Sequence, residues 1–330
     1  MSKQVNAAIV GLGRWGQLLV NSVAQSSRIK FVAAVTRSPD KVESFCAGRN
    51  MRLSNSLSDV LTDQNIDALV IATPHTQHFD QLMAAAEAGK HVYFETPRTL
   101  DAEQGRTALQ AFAEAGLKVA IGHNRRFSPN YLAMKALLES GELGAPIHID
   151  GHFNADLMQN ADRWRDSQKE SPAGGMTSLG IHAVDIFVSL FGTVRDVQAQ
   201  SRMVQSTIDI NDSTLVRFNF DNGQTGHLTT IAATSMLWRI GVFCTGGFVE
   251  IRDLDKIFVS SIADGEREET FPRFEYPGLE TITSALEAFA GDIVSDVPYP
   301  VAPSQIDHAT AVLAAIVASS QDGRTVQLSG

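Results

Sequence analysis

Apolar and polar positions along the first 125 residues alternate between two rhythms. Short, nearly continuous apolar runs at 5–10, 30–36, 68–72, 91–94 and 118–121 read as buried strands. Amphipathic stretches at 15–24, 40–47, 79–88 and 102–115 read as the helices between them. Buried strands alternating with helices predict a parallel sheet with right-handed crossovers. Near residue 123 the rhythm changes. After a helix over 129–140, strands come in runs at 147–153, 194–204, 213–220, 224–231, 239–244 and 248–251. Asp221-Asn222-Gly223 is a hairpin turn between two of them. Helices over 182–190, 281–294 and 304–319 complete the pattern. The fold class is therefore α/β. A parallel sheet spans 1–123, and an α+β domain with a large, mostly antiparallel open sheet spans 124–330.

The first loop carries chemistry. Gly11-Leu12-Gly13-Arg14-Trp15-Gly16 leaves a strand and opens a helix, the context a dinucleotide-binding fingerprint requires. Gly11 permits the tight turn, Gly13 lets a pyrophosphate approach backbone N–H groups, and Gly16 lets helix and sheet pack closely. Arg14 and Trp15 are expected at the same ligand. The parallel sheet is thus expected to be a Rossmann domain. An NAD site needs an acid at the end of the second strand to hold the ribose 2′-hydroxyl. This chain has Thr36-Arg37-Ser38 there, an arginine and two hydroxyls suited to a 2′-phosphate. NADP is favoured over NAD.

Three more segments extend the pattern: Ala72-Thr73-Pro74-His75-Thr76-Gln77-His78, Glu95-Thr96-Pro97, and Gly174 to Asp185 with His182 inside it. With Gly122-His123-Asn124-Arg125-Arg126-Phe127, they resemble the Gfo/Idh/MocA family over nearly the whole chain. That resemblance implies a nicotinamide cofactor and oligomers built through the sheet face. It implies that Thr73, Pro74, His75, His78, Glu95, Thr96 and Asn124 line the cofactor. It implies His182 as the catalytic acid/base and Asn154 as a substrate contact. Two positions depart from the family pattern. Thr96 stands where the family has a lysine reaching nicotinamide and substrate, and Ser178 stands where it has an aspartate beside the histidine.

Hydride transfer to or from an alcohol needs a group that exchanges the hydroxyl proton, and histidine does this best near neutrality. Ser178 and His182 are four apart and share a helix face, so the serine is expected to orient the imidazole. Asp185 is within reach to supply charge, or to pack locally. Lys90 and Lys118 precede their strands, at the wrong end for cofactor chemistry. Arg98 could place a cation nearby. In the loop 162–166, Trp164 offers a flat apolar face and Arg165 a fork for a carboxylate or phosphate. His75 with His78, and His148 with Asp150 and His152, have no further ligand at a diagnostic spacing, so no metal is expected.

Composition narrows the class. The 330 residues are 44% hydrophobic, enough for two domains with sizeable cores. The 27 Lys+Arg against 37 Asp+Glu give a net charge of −10, which argues against nucleic acid as a partner. Cys46 and Cys244 form no disulfide framework, and a reducing compartment is expected. Met1-Ser2-Lys3-Gln4 leads straight into a strand, and no run of about 18 apolar residues occurs, so the chain is expected to be cytoplasmic and to cross no membrane. The second domain has too few helices to cover both faces of its sheet, so a homo-oligomer, dimer or tetramer, is expected. The expected function is an NADP-dependent dehydrogenase or reductase of a small hydroxylated substrate, a sugar or polyol or a carboxylated cyclic diol. His182, Thr96 and Ser178 form its catalytic set. The alternatives are a cofactor-retaining isomerase or glycoside-eliminating enzyme, and a non-catalytic NADP-binding regulator.

Overall fold

The computed structural model describes residues 3–158, 164–272 and 279–328. Contacts divide the chain into two units: Met1–Asn124 with Glu275–Asp307, and Arg125–Phe274 with His308–Gly330. In the first unit, β1 (Val5–Val10), β2 (Ile29–Val35), β3 (Arg52–Ser54), β4 (Ala68–Ile71), β5 (His91–Phe94) and β6 (Val119–Ile121) form one sheet. Its order is β3-β2-β1-β4-β5-β6, parallel throughout. The connections carry α1 (Arg14–Ser22), α2 (Glu43–Ala47), α3 (Ser58–Leu61), α4 (His78–Glu87) and α5 (Ala102–Glu114). β1 and β4 are wholly buried or nearly so, which is why they read as continuous apolar runs. The strand order reverses direction between β1 and β4, and ligands of such sheets sit outside the carboxyl ends at that point.

The second unit is built on α6 (Pro129–Ser140), β7 (Pro146–Asp156), α7 (Ile181–Phe191), β8 (Val194–Arg202), β9 (Ser213–Phe220), β10 (Thr225–Ile231), β11 (Ala233–Cys244), β12 (Gly247–Arg252), β13 (Lys256–Ser261) and β14 (Gly265–Thr270). With β15 (Val326–Gln327), these strands make a sheet ordered β14-β13-β12-β11-β7-β10-β9-β8-β15. Among the described residues every pairing but one is antiparallel; β7 and β10 run parallel. Side chains alternate faces along each strand. One face joins Ile149, Phe153, Val216, Phe218, Ile240 and Val242 to Met134, Val184 and Phe187 of the helices in a single apolar cluster.

Two parts of the chain differ from the sequence reading. It joined everything after residue 123 into one domain, whereas Glu275–Asp307 groups with the first unit. There α8 (Leu279–Ser295) buries Ile282, Leu286 and Phe289, touching α1, β1, β2 and β5, and the Phe289 ring lies 6.0 Å from Tyr93. Chain order alone hides this return, because an amphipathic helix carries no label for the sheet it covers. The other difference is at the ends of the second sheet. β13, β14 and β15 escaped notice, because β14 (Gly-Glu-Arg-Glu-Glu-Thr) is almost wholly exposed and has no apolar alternation.

The face opposite the apolar cluster carries paired polar groups beside the rings of Phe243, Phe248 and Phe258. Asp150 accepts from Arg239 at 3.1 Å, and Glu250 accepts from Arg239 and Arg252, both at 2.6 Å. His148 Nδ1 lies 2.8 Å from Thr225 Oγ1 and Nε2 lies 3.2 Å from His227 Nδ1. Burial, then the neighbouring His227, holds the His148 pKa below its ordinary value, against the pull of Asp150. Burial and Arg239 do the same to His152. A histidine with a depressed folded pKa binds fewer protons folded than unfolded. Its stability contribution is therefore complete above the unfolded value and is lost as pH falls from there toward the folded pKa. The thermal midpoint should drop on going from about pH 7 to about pH 5, and by less in His148→Asn than in the parent. Circular dichroism melts at both pH values test this; an equal drop in the two proteins would refute it.

Candidate active site

The turn between β1 and α1 is set by three glycines with three different surroundings. Gly11 has φ +98°, and a Cβ there would lie 2.7 Å from the Ala72 carbonyl oxygen. A Cβ on Gly16 would collide with the Gly11 carbonyl oxygen. Gly13 is the reverse case, since a Cβ on it would meet nothing within 4 Å. Gly13 is the N-cap of α1, no side chain caps it, and the first turn holds no acid. The helix therefore opens with unclaimed N–H groups beneath empty space, the arrangement that binds an anion. The Trp15 indole Nε1 is buried beside it without a hydrogen-bond partner. Such a donor costs free energy unless a ligand supplies the acceptor. Arg14 is exposed.

At the end of β2, Thr36 is half-buried and its Oγ1 accepts from Ser38 N at 3.4 Å, while Arg37 and Ser38 are exposed. Asp40 stands in the short helical turn Pro39–Lys41 and is exposed. These residues fit a dinucleotide: an anion cradle at Gly13 and a cation, not an acid, at the second strand. After β4, Thr73 donates from Oγ1 to Gln81 Oε1 at 2.6 Å, and Pro74 is half-buried. His75 is buried, its ring 5.8 Å from that of His78. The His78 nitrogens face backbone oxygens, Nε2 at 3.0 Å from Thr73 O and Nδ1 at 3.1 Å from both Pro97 O and Arg98 O. His78 thus ties two turns together instead of presenting its ring to a ligand. Among the described residues no cluster has the ligands for a metal.

After β5, Glu95 and Thr96 are buried, and Gly122 is bare because a Cβ there would sit 2.7 Å from the Glu95 carboxylate. Asn124 donates from Nδ2 to Thr281 Oγ1 at 2.8 Å, an anchor provided by α8. Arg98 does not place its cation where the sequence reading allowed. Its guanidinium is fully buried and turns toward Asp307, at 3.0 Å.

In the second unit, Ser178 lies in a π turn, Met176–Gly180, that runs directly into α7 and brings up His182. Single π turns in helices occur often at functional sites. His182 is half-buried, with its ring 6.2 Å from Phe153. Phe153 meets Trp238 edge-on at 4.9 Å, and the Arg125 guanidinium stands over both rings, at 5.5 and 5.2 Å. Asp185 is committed elsewhere. Its carboxylate accepts two 2.7 Å bonds from Arg126, which also donates to Ser189 Oγ at 2.7 Å, and the pair is buried. Asn154 Oδ1 accepts from Ile231 N at 2.9 Å, finishing the end of β10. The Arg165 guanidinium stacks 4.1 Å over the Trp164 ring. Asp162 and Arg163 of the same loop lie outside the described residues.

Arg125, Phe153 and Trp238 were missed as members of the His182 surroundings. Arg125 stood in a quoted motif, but Trp238 is about 85 residues from Phe153 and only the β7–β11 pairing, Phe153 to Trp238, joins them.

Comparison with known proteins gives the same two parts. Residues 5–123 match the model of an oxidoreductase family with an NAD-binding Rossmann fold, and 131–250 match a GFO/IDH/MocA C-terminal domain. A scyllo-inositol 2-dehydrogenase (NAD(+)) of Bacillus subtilis is 29% identical over 302 residues, 88% of this chain and 86% of that one. A scyllo-inositol 2-dehydrogenase (NADP(+)) of the same organism, IolW, is 34% identical over 146 residues, 44% of this chain and 40% of its own. Several other curated oxidoreductases match over only about half their length. A crystal structure of a putative NADPH-dependent oxidoreductase from Desulfitobacterium hafniense superposes with a TM-score of 0.90 at 22% identity, covering 99% of this chain and 98% of that one. That likeness is one of fold.

The glycine geometry predicts opposite outcomes at two positions. Gly16→Ala should destabilise by about 1–3 kcal/mol, because its Cβ meets fixed backbone. Gly13→Ser should stay within about 0.5 kcal/mol of the parent, since it gains a capping hydroxyl in open space. Urea unfolding of the two variants checks the contrast, and equal losses would refute it.

Proposed function

Because the chain belongs to the GFO/IDH/MocA family of oxidoreductases, we propose that it binds NADP on its first unit and oxidises or reduces a small hydroxylated substrate, with His182 exchanging the hydroxyl proton. The observation that carries this reading is the open, acid-free N-terminus of α1 at Gly13, together with Arg37 in place of an acid after β2. A carboxylate there would repel a ribose 2′-phosphate. A guanidinium attracts it, and the Thr36 and Ser38 hydroxyls add donors. Gly11, Gly13, Trp15 and Gly16 would hold the pyrophosphate, and Thr73, Pro74, Glu95, Thr96 and Asn124 the nicotinamide end. The bound nicotinamide supplies the hydride acceptor or donor.

The rest falls to the chain's own residues. A neutral His182 takes the hydroxyl proton as an alcohol is oxidised and returns it in the reverse direction. Asp185 is paired with Arg126, and Ser178 stands where the resemblance expects a carboxylate. Phe153 and the π turn orient the ring, with Ser178 able to add one hydrogen bond. Thr96 contributes a neutral hydroxyl where the resemblance expects a lysine. With neither charge, the site suits a substrate whose oxidation is intrinsically easy. The preferred class is a polyol or sugar, or a carboxylated cyclic diol whose product becomes aromatic. The Trp164–Arg165 stack supports a ring bearing a carboxylate, and Asn154 of β7 would be a polar contact by its position in the resemblance. The reading includes a homo-oligomer, dimer or tetramer, closed over the polar face of the nine-stranded sheet.

One titration and one assay test the chemistry. By calorimetry NADP should bind more tightly than NAD, and Arg37→Asp should reverse that order. With a panel of polyols, aldoses and cyclic diols, His182→Ala should lower turnover by roughly 10²–10⁴-fold and leave NADP affinity almost unchanged. Thr96→Ala and Ser178→Ala should each cost far less. Tighter NAD binding would overturn the cofactor, and parent-like turnover in His182→Ala would overturn the base. Tight NADP binding with no turnover on any substrate would make the protein a regulator and not an enzyme.

Light scattering at micromolar concentration tests the assembly. A dimer or tetramer mass is expected, and a monomer mass would refute the oligomer.

A further inference from the structure

Arg98 is a fully buried cation of the first unit. It is 0% exposed; Nη2 donates to Asp307 Oδ1 at 3.0 Å, while Nε and Nη1 are buried without a hydrogen-bond partner. Burial pulls the guanidinium pKa below its ordinary value, and Asp307 pulls it back. The Asp307 carboxylate is itself partly exposed and shared with Arg106 at 3.7 Å. Room for the guanidinium comes from Gly105, inside α5. A Cβ on Gly105 would collide with Arg98 Nη2 and lie 2.7 Å from Nε. Glycine is a poor residue for a helix interior.

Two stability costs therefore converge at one place. A buried pair of this kind is a weak source of stability, because apolar residues of similar volume do as well or better. Local rules broken together, with no gain in packing, mark a place kept for function. The backbone shows what is being held. The carbonyl oxygens of Pro97 and Arg98 both lie 3.1 Å from His78 Nδ1, and His78 Nε2 lies 3.0 Å from Thr73 O. One strap thus runs from the turn after β4, through the His78 ring, to the turn after β5, and ends in the Arg98–Asp307 pair. Thr73 and Thr96 ride on those two turns. Both turns lie on the far side of the switch point from Arg37, the side that takes the nicotinamide half of a dinucleotide.

We propose that Arg98 is a positioning residue. Pinned by Asp307 in the space left by Gly105, it holds the Thr96 turn, and through His78 the Thr73 turn, in the register that receives the nicotinamide half of the cofactor. This rests on the dinucleotide reading above. Asp307 and Gly105 share the role, and none of the three touches the ligand.

The test uses the full chain and two probes, NADP⁺ and 2′,5′-ADP, which lacks the nicotinamide half. Each is titrated by calorimetry against the parent, Arg98→Met, Arg98→Lys and Asp307→Asn, with a thermal melt of each protein. Arg98→Met removes the charge at similar volume and should melt at or above the parent temperature. It should bind NADP⁺ roughly tenfold more weakly while 2′,5′-ADP stays within about twofold. Asp307→Asn should shift the same ratio in the same direction, and Arg98→Lys should restore part of it. A general packing defect would weaken both probes together, and that result overturns the proposal, as does an unchanged ratio. If Arg98→Met does not fold, the ratio in Asp307→Asn decides. A parent that binds neither probe defeats the dinucleotide reading itself, whereas a parent that binds both, with variants of unchanged ratio, defeats only the role of Arg98.

Discussion

The first unit is organised around a steric exclusion at one turn. Backbone oxygens of Ala72 and Gly11 occupy the places where side chains of Gly11 and Gly16 would stand. That contact brings α1 against β1 and β4 at the switch point of the sheet, and it aims the helix N-terminus at open space above Gly13. Three further features of the unit follow the carboxyl ends of its strands or are fixed beside them. Arg37 leaves β2, the His78 latch ties the turns after β4 and β5, and Asn124 is fixed from α8. An anion in that space would complete hydrogen bonds the helix cannot make for itself.

In the second unit a charge on the helix that carries His182 is committed to structure. Asp185 sits three residues past His182, but a bidentate bond to Arg126 consumes it. That pair, with Ser189 and Tyr131 (hydroxyls 2.6 Å apart), locks α7 to the start of α6. The His182 ring lies 6.2 Å from that of Phe153, which meets Trp238 edge-on, and the Arg125 guanidinium stands over the Phe153 and Trp238 rings.

Legibility followed burial. β1, β4 and β5 are buried on both faces, and their apolar runs could be read directly from the sequence. So could α6, where Pro129 opens the helix and Gly141, at φ +74°, closes it. The glycine fingerprint was legible because close backbone approach demands glycine whatever lies around it. The polar edge strands were not, and neither was the return of α8 to the first sheet. The fates of Asp185 and Arg98 were equally hidden. A charged side chain looks the same in sequence whether it meets solvent, a ligand or a partner about 60 or 200 residues away, as Asp185 meets Arg126 and Arg98 meets Asp307.

The margins of the large sheet bear on how the chain meets its own copies. At one margin β14 holds out Glu266, Arg267, Glu268 and Glu269 along a short, solvated strand; at the other, β15 is two residues long. A foreign strand arriving at the first margin meets a row of charged, solvated side chains, and at the second finds almost no backbone to pair with. Strand-by-strand growth, which has no natural end, is thereby discouraged at both sides. A two-fold contact through the broad face of the sheet would instead use up its own surface and stop at a finite number of chains.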